Sequence, residues 1–255
     1  MKRLSVALAV LSAALGGLTL GVSACSVEMS GPHAEPTRDA AAQEVPSADA
    51  LFDAYLEQDR ALAAAIEADG DLSVTEALAL RVERDQTARR LIIELLETPG
   101  AGPDDAALTW FRLMRHMNAI DRNNTRWLKA RLGERVWFTI SEYGEEADNN
   151  AFLIVQHATH DPDFMREVHT RFEALRADGE IAPDNYALLT DRLAVMDDEP
   201  QPYGSQFECK DGEQRLQTPL ADTEAVVDAR RAEAGLPPLA QYRAALPDCG
   251  AVPGG

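Results

Sequence analysis

Residues 73–98 read SVTEALALRVERDQTARRLIIELLET, and the spacing within this stretch decides the fold class. Ser73 followed three residues later by Glu76 is a capping box, which satisfies the free backbone N–H groups at a helix start. Steps of four and three residues from Leu78 reach Val82, Asp85, Arg89, Ile92 and Leu96, the one-sided stripe of a packed helix. Pro99-Gly100 closes it. The stripe is apolar at both ends and carries an acid and a base at its centre.

Outward from this helix the chain keeps the same style. A helix is predicted from just after Pro103-Asp104-Asp105 to about Leu132, stopped by Gly133. The same steps from Trp110 reach Met114, Met117, Asp121, Asn124 and Leu128, again with a polar pair in the middle. Upstream, Ser47 caps a helix over about Ala48 to Asp69, and Gly70 ends it. Downstream, Trp137 to Gly144 reads as an extended crossing segment, followed by helices over about Glu145 to His160, Pro162 to Ala177 and Pro183 to Met196. Pro200 to Pro219 reads as irregular, and a last helix spans about Asp222 to Ala234. No strand-like alternation of any length occurs before Pro200, and no solenoid-period repeat is present. The fold class that follows is mainly α: a compact multi-helix domain over residues 48–250 with an irregular, disulfide-tied C-terminal region.

The disulfide is an expectation from cysteine usage. Lys2 and Arg3 precede an uncharged, largely apolar run that ends in Val22-Ser23-Ala24-Cys25, the layout of a secretory signal peptide. Small residues directly before a cysteine resemble a bacterial lipobox, which implies cleavage after residue 24 and a lipid on Cys25. Ser26, not an acid, implies sorting to the outer membrane, facing the periplasm. Residues 25–47, with Pro32, Pro36 and Pro46 and no apolar stripe, read as a flexible tether. In an oxidising compartment Cys209 and Cys249 then form an even pair, and a disulfide there stabilises by about 4 kcal/mol on the chain-entropy model. No CxxC spacing supports a cysteine metal site.

Charge narrows the partners. The 255 residues hold 24 Lys and Arg against 43 Asp and Glu, a formal net charge of −19, and the bases are scattered. A phosphate-tracking face needs clustered bases, so nucleic acid is excluded as a partner. The expected partners are the membrane, through the lipid on Cys25, and an envelope protein or small ligand.

The candidate site grows from the interrupted stripes. Asp191 sits between Leu188 and Val195, and Arg192 between Leu189 and Met196, so a third helix carries charge where apolar side chains belong. Gln156 and His157 follow the apolar run Phe152-Leu153-Ile154-Val155, with His160 and Asp161 close behind at helical spacing. Buried unpaired charges cost several kcal/mol, so these groups are expected to converge on one polar centre. Two readings of that centre stay open. In one, Asp85, Arg89, Asp121 and Asn124 are a satisfied layer that sets helix register, and His157 is an ordinary core histidine. In the other, His157, Asp161, Asp121 and Asp191 perform acid–base chemistry, or His157, His160 and Asp161 hold zinc or another divalent metal. Asp85, Arg89, Asn124, Gln156, Arg192, Tyr203 and Gln206 would then bind ligand or substrate. His33, His116 and His169 read as solvated or partly packed. GxSxG, GxxxxGK[ST], HExxH, ExxH and strand-linked GxGxxG motifs are all absent, so no reaction is named.

The chain also resembles an uncharacterised bacterial family, domain of unknown function 6624, over about Arg81 to Tyr242. The resemblance rests on Asp85-Gln86-Thr87-Ala88-Arg89, Asp121-Arg122-Asn123-Asn124, Gln156 to Phe164, Leu189-Thr190-Asp191-Arg192, Gln201 to Gln206, and Val227 to Arg231 with Gly235-Leu236. Three departures stand out: Val136-Trp137-Phe138 where the family has Gly-Trp-Pro, Ser205 in place of Thr, and Thr159 where Asp is common. The resemblance implies no activity and marks the same polar residues. The functional expectation is a cell-envelope lipoprotein acting as a binding or interaction module. The alternative is a periplasmic hydrolase, with or without metal, built on His157.

Overall fold

The computed structural model describes residues 45–68, 72–133 and 135–246. The expected signal segment, the expected lipidation site Cys25, the expected tether to residue 44 and Cys249 therefore lie outside the described residues. Nine helices and one hairpin occur within them: α1 (Ala48–Glu67), α2 (Val74–Glu97), α3 (Ala107–Leu132), α4 (Ile140–Tyr143), α5 (Glu145–Gln156), α6 (Pro162–Leu175, running into a 3₁₀ turn at Arg176–Asp178), α7 (Pro183–Met196), β1 (Phe207–Lys210), β2 (Glu213–Leu216), α8 (Glu224–Glu233) and α9 (Leu239–Ala244). None of these helices is long and apolar enough to cross a membrane.

Local chemistry sets the boundaries. Ser47 accepts from the Ala50 N–H, and Ser73 and Glu76 form the expected capping box at α2. Asp161 caps α6 by accepting from the Phe164 N–H, with Pro162 next to it in the first turn.

Two apolar cores result. One gathers Leu78 and Val82 of α2, Leu128 and Leu132 of α3, Trp137, Phe138, and the inner faces of α5, α6 and α7. The other gathers Phe52 and Tyr55 of α1, Leu91 and Leu95 of α2, and Leu113, Met117 and Ile120 of α3. The start of α2 and the end of α3 share the first core, and their opposite ends share the second, so the two helices run antiparallel. Asp85, Arg89, Asp121 and Asn124 fall between the cores, where the stripes are interrupted.

Three sequence expectations are corrected. The segment Trp137 to Gly144 is not wholly extended: α4 forms one helical turn, closed by the Tyr143 N–H on Thr139 O and the Gly144 N–H on Ile140 O. The helix expected to reach His160 ends at Gln156, because His157 is its C-cap and Ala158 turns back to bond Val155 O. The stretch from Pro200 is ordered: β1 and β2 pair antiparallel from Phe207 opposite Leu216 to Lys210 opposite Glu213. Their turn is Asp211-Gly212, both at positive φ, a type of hairpin turn that an Asp-Gly pair favours. The helix α9 was not anticipated at all.

One buried acid ties the first core together. Asp148, fully enclosed on α5, accepts from Trp137 Nε1 (2.5 Å), the Ala182 N–H (2.8 Å) and Asn185 Nδ2 (3.0 Å). It thus joins the segment before α4 to the start of α7. Asp148→Ala leaves these donors buried without an acceptor and should cost roughly 3 kcal/mol. The check is a lower urea midpoint at an unchanged m-value.

Candidate functional site

Antiparallel packing of α2 and α3 places the two interrupted stripes against each other, and α5 delivers His157 from above. Arg89 is the bridge. Its Nε and Nη2 donate to Asp85 Oδ1 at 3.2 and 3.0 Å, and Nη2 also donates to Asp121 Oδ1 at 3.0 Å. Gln86 Nε2 donates to Asp85 Oδ2 at 2.8 Å. His157 Nδ1 lies 2.9 Å from the same oxygen, out of line for a straight N–H···O bond. Asn124 joins a neighbouring cluster instead, accepting from Arg81 Nη1 at 3.2 Å while Arg81 stacks on Trp127.

Burial sets the protonation of this seam. Burial and the adjacent Asp85 charge outweigh Arg89 and push Asp121 up to about 7. Burial opposes ionisation of Asp85 too, but His157 and Arg89 beside it prevail and hold its carboxyl below the ordinary range. Burial lowers His157, with Asp85 opposing and Arg89 assisting, so the imidazole is neutral at pH 7. Asp121 thus shares its surroundings with a like charge, as paired carboxylates do when one keeps a proton.

Next to the seam, Gln156 at the end of α5, Arg192 on α7, and Ser205, Gln206 and Tyr242 line a small cavity with room for about one ordered water. The backbone that carries Ser205 and Gln206 is clamped from both sides. Asp191 accepts from the N–H groups of Tyr203 (2.9 Å) and Ser205 (2.6 Å), and Arg231 Nη1 donates to Tyr203 O (2.7 Å). Gly204 between them has φ +63°, and a Cβ there would stand 2.7 Å from Leu220 Cδ2.

The expected residues therefore separate into groups. Asp85, Arg89, Asp121 and His157 converge as one network, and Gln156, Arg192 and Gln206 converge on the cavity. Asp191 does not join either as a chemical group, since both of its oxygens hold loop backbone. Tyr203 takes part through its main chain. Asp161 is removed from His157 by the early end of α5: it caps α6 and accepts from Lys129 Nζ at 2.7 Å. His160 is exposed. The expected metal set of His157, His160 and Asp161 is not brought together as a group of close ligand atoms. Among the described residues the group whose ligand atoms lie within 4.8 Å of one another is Asp85, Asp121 and His157.

Of the remaining histidines, His116 pairs with Asp59 at 3.0 Å, and His169 Nε2 meets Thr190 Oγ1 at 2.8 Å while stacking on Tyr186. Sequence reasoning missed Arg81, Asp148 and Arg231. The stepping that found Asp85 skipped Arg81 because it sits one position off the stripe.

Comparison with known families adds one finding. The chain matches a family of unknown function, DUF6624, over residues 71–252. It belongs to that family. The DUF6624 region takes in every seam and cavity residue but not α1, which nonetheless completes the second core with Phe52 and Tyr55. No curated protein and no solved structure shows significant similarity to the chain.

The raised Asp121 gives a pH signature. A carboxyl with a folded pKa near 7, above the ordinary 3.8, adds stability that is full below about pH 4 and lost as pH rises through 7. Asp121→Asn mimics the protonated form, so its stability relative to wild type should rise between pH 4.5 and 7.5, by up to about 1.4 kcal/mol per pH unit. Urea midpoints of both proteins across that range read the difference, from which the common His157 titration largely cancels.

Proposed function

We propose that this DUF6624 protein is a lipid-anchored binding module of the cell envelope that takes a small ligand at the cavity beside the seam. One observation carries the reading: Gln156, Arg192 and Gln206 come from three separate elements, are all buried, and line one cavity. Polar side chains kept out of water at this density need partners, and a ligand supplies them. The charges of the seam, by contrast, answer one another. That division fits a binding site built against a rigid support.

The anchor belongs to the same reading. The basic start, apolar run and small residues before Cys25 support export, lipidation of Cys25 with acyl chains such as palmitate, and retention at the outer membrane on its periplasmic side. A Cys209–Cys249 disulfide is proposed with it, as the oxidising compartment favours the pair. The strongly acidic surface suits a protein tethered near an anionic bilayer without lying on it.

A second reading has its own support. Asp85, Asp121 and His157 bring two carboxylate oxygens and an imidazole nitrogen together, a donor set suited to zinc or manganese in a metal-assisted hydrolase. A metal there has to displace Arg89 from both carboxylates, which is why the binding module is preferred.

Three measurements test these readings. Cys25→Ser should shift the protein from the membrane to the soluble fraction of cells, and continued membrane retention would refute the lipid anchor. In a thermal-unfolding screen of the full chain against small polar compounds, hits should raise the midpoint of wild type and leave a folded Gln156→Ala variant unmoved. A screen without hits, or hits indifferent to Gln156→Ala, overturns the binding reading. Zinc and manganese should leave the wild-type midpoint unchanged, and a stoichiometric metal lost in His157→Ala would install the hydrolase reading in its place.

A further inference from the structure

Several guanidinium groups are buried among the described residues, and all but one of these have oxygen partners there. Arg84 donates to both oxygens of Asp59, Arg89 to Asp85 and Asp121, Arg81 to Asn123 and Asn124, and Arg231 to the carbonyls of Pro237 and Tyr203. Arg192 is different. It is 8% exposed, its Nε has no hydrogen-bond partner, and no carboxylate among the described residues forms an ion pair with it. The charge that acts on it most strongly is the like charge of Arg89. An enclosed cation in that condition costs several kcal/mol unless something else answers it.

The lining of the cavity shows what that something is. Gln156 and Gln206 line the cavity beside Arg192 with amides that can donate hydrogen bonds, Tyr242 Oη gives its hydrogen to Ser205 O at 3.3 Å, and no acid is among the lining residues. Gln206 Nε2 donates one hydrogen to Ser205 Oγ at 2.9 Å and has a second to donate elsewhere, while the serine hydroxyl itself bonds to Asp191. Leu188 supplies an apolar wall. Donors, a fixed positive charge and the absence of acids describe a receptor for an oxyanion. Burial and Arg89 lower Arg192 only to about 10, so it keeps its charge at neutral pH.

Size selects among oxyanions. The space holds about one water, so of the common oxyanions the flat head of a carboxylate asks the least opening of the lining and a tetrahedral phosphate asks more. The guanidinium fork matches a carboxylate with two parallel N–H···O bonds. Resting on the ligand-binding reading above, we infer that the cavity binds the carboxylate of a small organic acid, with Arg192 as its anchor.

The experiment uses the full chain and acetate, with acetamide as the neutral probe of the same shape and sodium chloride at matched ionic strength. Acetate at a hundredfold excess over its Kd should raise the unfolding midpoint by roughly 5 °C, with acetamide and chloride well below it. Arg192→Met removes the unanswered charge while keeping bulk, so in acetate-free buffer it should unfold at or above the wild-type temperature and show no acetate response. A midpoint well below wild type in that buffer identifies Arg192 as structural support and overturns the inference, as does an acetate response that survives the substitution. An equal response to chloride reduces the effect to general salt and also overturns it. If acetamide works as well as acetate, the carboxylate inference falls while the binding reading stands. If neither probe nor the wider screen moves the midpoint, both fall.

Discussion

The arrangement depends on a single carboxylate, Asp85, held between Arg89, Gln86 and His157 at the place where two apolar cores meet. Helices α2 and α3 are long enough to serve both cores, and each is apolar at its ends and polar in its middle third. A continuous apolar stripe would let the pair slide by a turn. With Arg89 required to reach both Asp85 and Asp121, one register satisfies the buried charges and its neighbours strand them. Removing one partner from such a network costs more than the intact network contributes, which is how buried ion pairs enforce uniqueness more than stability.

That seam also explains the position of the cavity. Helix α5 packs its apolar run Phe152 to Val155 into the first core and must stop before its next turn enters the polar layer. It stops at Gln156, and His157 as C-cap drops onto Asp85. The same stop leaves Gln156 facing Arg192 and the loop that holds Gln206. Asp191 and Arg231 fix that loop mainly by its backbone, leaving the side chain of Gln206 for the cavity. Support and cavity lining are thus divided between main chain and side chain within four residues.

Much of this was legible from sequence, for a physical reason: helical periodicity exposes any polar residue that interrupts an apolar stripe. Asp85, Arg89, Asp121, Asn124, Gln156 and Arg192 were found this way, as were most helix ends, because Ser, Pro and Gly act locally. The failures come from interactions that are not local. The run Gln156 to Asp161 keeps helical spacing, yet His157 gains more from Asp85, 72 positions away in the chain, than from another turn. Asp148 and Arg231 bond mainly to distant donors and carbonyls and leave no periodic trace. The hairpin was within reach, since Asp211-Gly212 is a strong turn signal, but strands of four residues alternate too briefly to register.

The seam and the cavity are electrically one object. Arg89 faces Arg192 as a like charge, and Asp121 is the seam member able to change its own charge near neutral pH. With Asp121 protonated and His157 neutral, Arg89 and Arg192 together outnumber the ionised carboxyl of Asp85 by one positive charge. An ionised Asp121 or a bound carboxylate each cancels that excess. The two remedies oppose each other electrostatically, so occupation of the cavity by an anion favours the protonated form of Asp121, and ionisation of Asp121 weakens the cavity's hold on an anion. By linkage these are one coupling free energy seen from two sides. The polar layer that fixes helix register thereby also sets the charge of the cavity.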